Sequence, residues 1–564
     1  MAGPSGYLEP DTILTSGHVI TLDGWMNEAE AIAIKGSRIL AVGSSNYIGG
    51  LKGPNTRVID LTGEAVIPGI IDAHAHMERE GLKALRLSLT GARSITEILD
   101  RISAATQKTP KGEWIVTMPV GEPPFYYDEL ETIAEHRMPN RWELDRAAPD
   151  HPVCIMAAFG NWGAPPCYWA LNSRALTFNG ITAKTNPAFD TTEIEKEQAT
   201  GEPTGVIIEH SARPIAPFDI LKAVPKFTYE ERLTGLKESM RLYNAVGTTG
   251  IYEGHGSAPE TLSLYRDLWE KNALTVRTRL TVSPTWRAIE QAGELMRDQL
   301  AYARGKGLGD KWLTISGVFI GLMGDTALRE VSLDALPDTG WSGFIEPATS
   351  FDEFCGLAHL CAQNNLRLHT IVSGRMDKII PILEEIDAAH SLVGRRWMVE
   401  HIDLVMPGHI AALKRLGVLV TTIPVSSIWQ RGADLHNHPE FVNHVAPLHS
   451  MLEAGVTIAS GTDNIPHNPF YTLWVMMARA ERMSGTVIGP DQRLTALQGL
   501  RTLTIEGAHL SFEENDRGSI EPGKLADLAV LSADPTQIPM DQVQDVRATL
   551  TIVDGDIVHD TILQ

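Results

Sequence analysis

Residues 64–76 read Glu64-Ala-Val-Ile-Pro-Gly-Ile-Ile-Asp-Ala-His-Ala-His76, an apolar run that ends in two histidines one residue apart. The run is short and rich in β-branched residues, which predicts a buried strand of a parallel sheet over Ala65–Ile71. Side chains alternate across a strand, so His74 and His76 are expected on one side of it. Two imidazoles on one face, just past a buried strand, can share a divalent ion. Such a histidine pair also arises on exposed loops with no function, but the apolar approach favours the metal reading here.

Working outward, the middle of the chain alternates strand and helix patterns, the signature of βα units. Beyond the first strand, seven more are predicted: Thr249–Glu253, Thr275–Val282, Leu313–Ile320, Arg367–Val372, Trp397–Ile402, Val418–Pro424 and Thr457–Thr462. Amphipathic helical stretches such as Tyr229–Val246 and Pro407–Leu416 separate them. Eight such units predict a TIM-like (β/α)₈ barrel, which takes roughly 250 residues of the available chain. The gap between the first two strands is too long for a crossover, so residues 85–228 are expected to form an inserted subdomain. Short strands and turns at both ends, with Asp554-Gly555 as a hairpin signal, predict a β-sandwich built from 1–66 and 511–564. The barrel is then expected over 67–510.

Composition narrows the partners. The 564 residues carry a net charge of −22 with no Lys/Arg-rich block, which argues against nucleic acid or an anionic membrane surface. No apolar run reaches the ~18 residues that span a bilayer, and no secretory signal opens the chain. Four scattered cysteines, Cys154, Cys167, Cys355 and Cys361, suit a reducing compartment, so a cytoplasmic location is expected.

The ends of the predicted strands hold the chemistry, because barrels of this kind build their sites there. The second strand ends at Glu253, the fifth carries His369, the sixth leads into His401 and the eighth ends in Ser460-Gly-Thr-Asp463. Taken singly, each has a structural explanation. A lone strand histidine is usually a core residue, Ser-Gly-Thr-Asp is often a helix cap, and Glu253 can be a buried acid paired with Arg277 or Arg279. As a set, they place four histidines and an aspartate at one end of a closed sheet.

That pattern resembles the amidohydrolase superfamily. The stretches Val66–His76 (VIPGIIDAHAH), Val399–Val405 (VEHIDLV) and Ser460–Pro469 (SGTDNIPHNP) are similar to its family 3 branch of formamide deformylase and D-aminoacylase-like enzymes. So are Gly201–Ala212 and the tail Gly518–Pro535. The resemblance implies a hydrolase dependent on a divalent metal, zinc foremost, with one or two ions. It implies His74, His76, His369 and Asp463 as ligands, with His401 bound to the metal or hydrogen-bonded to substrate or water. Many relatives carry a bridging carbamylated lysine at the end of the fourth strand; here Phe319 or Ile315 falls there, and Lys311 precedes the strand. The expectation is one ion, or two if Glu253 supplies the bridge.

The chemistry implied is attack of metal-activated hydroxide on a carbonyl. Asp463 would shuttle the proton to the leaving nitrogen, and His401 would help to stabilise the oxyanion. The substrate class expected is a small amide, formamide or carbamate. An esterase or lactonase is the rival on the same scaffold, and a catalytically inactive binding scaffold comes after it. Aromatic residues are dense between 111 and 178. Most are expected to fill the insertion's own core, with Trp162 and, after the seventh strand, Trp429 as candidates to line a substrate pocket. Cys167 is a further candidate contact, where relatives resemble a histidine-bearing pattern. Self-association into a homo-oligomer is also expected.

Overall fold

The computed structural model describes residues 9–24, 28–121, 126, 130–158, 165–210, 215–257, 259–283, 289–322 and 348–562. Eight parallel strands follow one another in chain order around a barrel: Ile70–Asp72, Thr248–Ser257, Arg277–Val282, Leu313–Phe319, Leu368–Ile371, Met398–Glu400, Leu419–Thr422 and Ile458–Ser460. The ring closes where Ala73 N–H donates to the Ser460 carbonyl at 3.2 Å and Asp463 N–H to the His74 carbonyl at 2.9 Å. The second strand is buried along its whole length, as expected of a parallel strand covered on both faces.

The run that opened the case divides differently from the expectation. Ala65–Pro68 pairs antiparallel with Leu528–Leu531 in a separate mixed sheet, and only Ile70–Asp72 enters the barrel. Pro68 cannot donate to a ladder, so the strand breaks there and Gly69 carries the chain between the two sheets. A continuous apolar stretch conceals such a break, since both halves are buried.

Between the barrel strands lie helices such as Tyr229–Asn244, Phe351–Gln363, Met376–Ala389 and Pro407–Leu416. The last begins with proline and ends at Gly417, whose φ of 65° is the left-handed conformation of a helix stop.

The β-rich ends form two sheets. One holds Arg38–Gly43, Ala31–Lys35, Thr12–Thr15 and Arg57–Asp60; the other joins His18–Ile20, Glu28–Ala29 and Ala65–Pro68 to Leu528–Leu531, Ala548–Val553 and Asp556–Asp560. Ala31-Ile-Ala-Ile shows why they pack. Ile32 and Ile34 join Val66, Val530 and Leu550 in one apolar cluster, while Ala31 and Ala33 meet Ile48 in another.

Glu78–Ser239 is the main described part of a second compact unit. Its five-stranded sheet runs Thr192–Lys196, Pro203–Glu209, Cys167–Leu171, Val153–Ile155, Ile115–Thr117. Helix Ile95–Thr106, capped by Ser94, contributes Ile95, Ile98 and Ile102 to a core with Ile115, Ile155 and Val206. Among the described residues no helix is long and apolar enough to cross a membrane.

Candidate metal centre

The first strand ends at Asp72, whose carboxylate accepts from His74 N–H at 3.2 Å, from Thr462 N–H at 2.9 Å and from the Thr462 hydroxyl. This one buried acid ties the ends of the first and eighth strands together. Burial pushes its carboxyl up to about 6 in spite of those donors. Asn464 does the same for His76, donating to its carbonyl at 2.8 Å and accepting from the Tyr243 hydroxyl. The strand ends approach so closely that a Cβ on Gly461 would lie 2.4 Å from His74 Cβ. Only glycine fits there.

His74 and His76 are buried, and ligand atoms of His74, His76 and Asp463 all lie within 4.8 Å of one another. His76 Nε2 sits 3.3 Å from Asp463 Oδ1, and His401 Nε2 sits 3.3 Å from His74 Nε2 and 4.0 Å from Asp463 Oδ2. His401 and Asp463 both hold left-handed backbone, with φ of 53° and 52°, a conformation that costs about 1–3 kcal/mol in a non-glycine residue. Such strain concentrates where side-chain placement matters.

Behind the two strand-one histidines stand two carboxylates. Glu400 Oε2 lies 3.2 Å from His74 Nδ1, and Glu253 Oε2 lies 3.2 Å from His76 Nδ1. Carboxylates behind imidazoles in this way fix the ring and leave Nε2 to face a metal. Burial alone would raise the Glu400 carboxyl, but hydrogen bonds from His369 and His74 hold it at about 2. Burial likewise opposes the charge on Asp463, and the hydrogen bond and charge of His76 with those of His74 and His401 hold it far below the usual carboxylate range. His401 is pushed down to about 3 by burial and by His74, so it is neutral with a lone pair to offer. On His74 burial acts downward, yet Glu400, Asp463 and Asp72 outweigh it and raise the imidazole. The field that draws a proton onto His74 would equally stabilise a divalent cation among these donors. Buried imidazole and carboxylate at these spacings fit zinc, iron(II) or manganese.

Several expected positions fall elsewhere. His369 is at the same end of the barrel, but its Nε2 is 3.2 Å from the Tyr252 hydroxyl and its Nδ1 3.5 Å from Glu400 Oε1. Among the described residues it belongs to neither group of converging donors. Glu253 Oε1 accepts from Met77 N–H at 2.9 Å behind His76, while Arg277 and Arg279, the partners its structural reading expects, pair with Asp527 and Glu513. Phe319, fully buried, packs its ring 5.2 Å from that of His255, and Lys311 lies at the strand's start against Asp554, 2.7 Å away. Trp429 is half-buried beside Tyr471. Cys167 is buried in the second unit's sheet opposite Glu209. Trp162 lies outside the described residues.

His255, Glu400, Asp72 and Asn464 escaped the sequence reading. His255 was lost because the second strand was ended at Glu253, whereas it runs to Ser257 with an irregular register past Glu253. A histidine between two glycines, Gly254-His255-Gly256, was the available signal.

A parallel eight-stranded barrel with histidines and an aspartate gathered at the carboxyl ends of its strands is the architecture of metal-dependent hydrolases. The chain belongs to the amidohydrolase family, whose model matches residues 57–559, and so to hydrolases acting on C–N bonds. N-substituted formamide deformylase of Arthrobacter pascens is 27% identical over 572 residues, covering 97% of each chain. The protein LONG AFTER FAR-RED 3 of Arabidopsis thaliana is 24% identical over 551 residues, 94% of this chain and 88% of that one. A solved metal-dependent hydrolase from Pyrococcus horikoshii shares the fold, with a TM-score of 0.66 at 19% identity over 94% of this chain and 99% of that one.

Proposed function

We propose that the chain hydrolyses the C–N bond of a small amide, formamide or carbamate, with a zinc ion held by His74, His76, His401 and Asp463. The observation that carries this reading is the convergence of Asp463 with His76 and His401 at 3.3 and 4.0 Å, all three buried. When bound, the ion would supply Lewis acidity and lower the pKa of its water toward ~7. Asp463, kept ionised by the surrounding imidazoles, accepts the proton released as the carbonyl is attacked and returns it to the leaving nitrogen. Its left-handed backbone and the Asp463 N–H bond to the His74 carbonyl aim the carboxylate at this position. His401, kept neutral by burial, would offer the lone pair of Nε2 to the ion, which leaves polarisation of the carbonyl oxygen to the metal. Glu253 and Glu400 keep His76 and His74 in the tautomer that presents Nε2.

The name of the Arthrobacter relative supports formamides as the first substrates to try. The test is metal analysis of protein purified without chelator, followed by a panel of N-substituted formamides, amides, esters and lactones. Turnover of formamides or amides, lost with chelator and restored by zinc, is the expected result. Turnover confined to esters or lactones would replace the substrate class, and a fully metal-loaded chain inert on every member would overturn the catalytic reading.

A further inference from the structure

We infer that His255, at the end of the second barrel strand, is a metal ligand and stands in the place that the family resemblance gives to His369. This rests on the proposal that the chain binds a divalent ion. Ligand atoms of His74, His255 and His401 lie within 4.8 Å of one another. The His255 ring is 4.5 Å from that of His74 and 4.8 Å from that of His76, centroid to centroid, and 5 % of the residue is exposed.

The neighbours of His255 are shaped to admit it. A Cβ on Gly254 would lie 2.5 Å from Glu400 Oε1, so a bare backbone is required for the strand end to pass the carboxylate. The apolar ring of Phe319, from the fourth strand, packs 5.2 Å from the His255 ring. The fourth strand therefore offers no donor at that position, and the second strand offers an imidazole.

His369 is engaged outside the group formed by His74, His255 and His401. Arg367 Nη1 lies 3.1 Å from the Tyr252 hydroxyl and can only donate, so the tyrosine oxygen accepts. The same hydroxyl lies 3.2 Å from His369 Nε2, within hydrogen-bond distance. The other His369 nitrogen, Nδ1, lies 3.5 Å from Glu400 Oε1. Nε2 is thus held by the tyrosine, and the ring stacks on Tyr252 at 5.4 Å and 13°. His369 is thus a positioning residue that acts through Glu400 on His74.

The experiment compares His255→Ala, His255→Gln and His369→Asn with the unmodified chain, each checked for folding by thermal melt. Zinc dissociation constants are measured by chelator competition, and cobalt(II) absorption spectra report the ligand field. Loss of an outer partner costs ~10–100-fold in metal affinity. Both His255 variants are expected to weaken zinc by more than that and to change the cobalt spectrum, while His369→Asn stays within it and keeps the spectrum. A His255 variant that folds, binds zinc as the parent does and leaves the cobalt bands unmoved would overturn the assignment. So would a His369→Asn chain that loses metal more severely than the His255 variants. An unmodified chain that takes up neither ion would overturn the metal-hydrolase proposal itself, and the assignment with it.

Discussion

Both ends of the barrel bury charge, but they neutralise it differently. At the amino ends of the strands, Arg277, with no exposed side chain, holds Asp527 at 2.7 Å and Asp554 at 2.9 Å. Arg279 and Arg517 share Glu513. Each acid there faces a permanent cation, which suits a purely structural end. At the carboxyl ends, Glu400, Glu253 and Asp463 face imidazoles that are charged or neutral according to their surroundings. An acid matched to arginine is locked; an acid matched to histidine leaves room for a metal or a moving proton. The same burial therefore yields locked ion pairs at one end and, at the other, the acid–imidazole cluster on which the proposed chemistry rests.

The strongest challenge to this contrast is Asp463→Asn, which keeps the shape of the side chain and removes its ability to take a proton. Turnover is expected to fall on the order of 10²- to 10⁴-fold, with the thermal melt little changed. Steady-state kinetics on whichever formamide or amide the chain accepts would measure it. A variant retaining most of its kcat would remove Asp463 from the chemistry and erase the distinction between the two ends.

The converse change is Arg277→Ala at the amino end. It leaves Asp527, a nearly inaccessible carboxylate, buried without its partner, and breaking such a pair costs about 3–5 kcal/mol. Denaturant unfolding should show that loss, while kcat per folded molecule stays near that of the parent. Equal losses of stability and of kcat per folded molecule would mean that the two ends do not divide labour.

Much of this architecture was legible in the chain. Helix Pro407–Leu416 came out with the predicted bounds, and the barrel strands largely with trimmed ends, because 2.0 and 3.6 periodicities impose themselves on apolar patterns. Short motifs mark His74, His76, His401 and Asp463 in the sequence, and the structure brings their side chains together. What stayed hidden depends on contacts between residues far apart in sequence. Nothing local in Val399-Glu400-His401 says that Glu400 sits between His74 and His369, and nothing in Leu368-His369 says that Tyr252 claims its ring. The sequence leaves Glu253 between a metal bridge and a buried acid paired with arginine; its neighbour His76 is 177 positions away, and closure of the barrel brings them to 3.2 Å.

A third kind of buried acid sharpens the contrast. Glu209, in the second unit, is 1 % exposed and relies on the Ala216 N–H at 2.6 Å and the Thr192 hydroxyl at 3.2 Å. Desolvation wins over these donors and lifts its carboxyl from 4.5 to about 7. A folded-state pKa above the unfolded one means that the folded chain binds the extra proton. Its stabilising contribution is thus present below about pH 4.5 and is lost progressively as pH rises toward 7. Between pH 5 and 8 the second unit should lose about 2–3 kcal/mol from this group. Denaturant titrations across that range, on the parent and on Glu209→Gln, would show it, the variant having the flatter profile. Identical profiles would mean that the carboxylate is solvated well enough to behave like a surface acid.

The smallest effect is expected where the same charges meet in water. Arg38 approaches Asp516 at 3.3 Å, but half of each side chain is exposed, at 51% and 55%. Exposed pairs contribute about 0–1 kcal/mol because solvent screens the charges and two long side chains lose rotamer freedom. Arg38 also donates to the Gly523 carbonyl at 2.6 Å, so Arg38→Ala removes one backbone contact as well. The total change in unfolding free energy should still remain near 1 kcal/mol, several-fold below that of Arg277→Ala under matched conditions. Raising the salt concentration should shrink the Arg38 effect and leave the Arg277 effect almost unchanged, since screening reaches exposed pairs and not desolvated ones. If salt erodes both alike, then burial is not what separates the structural end of the barrel from its surface, and the comparison of the two ends loses its physical footing.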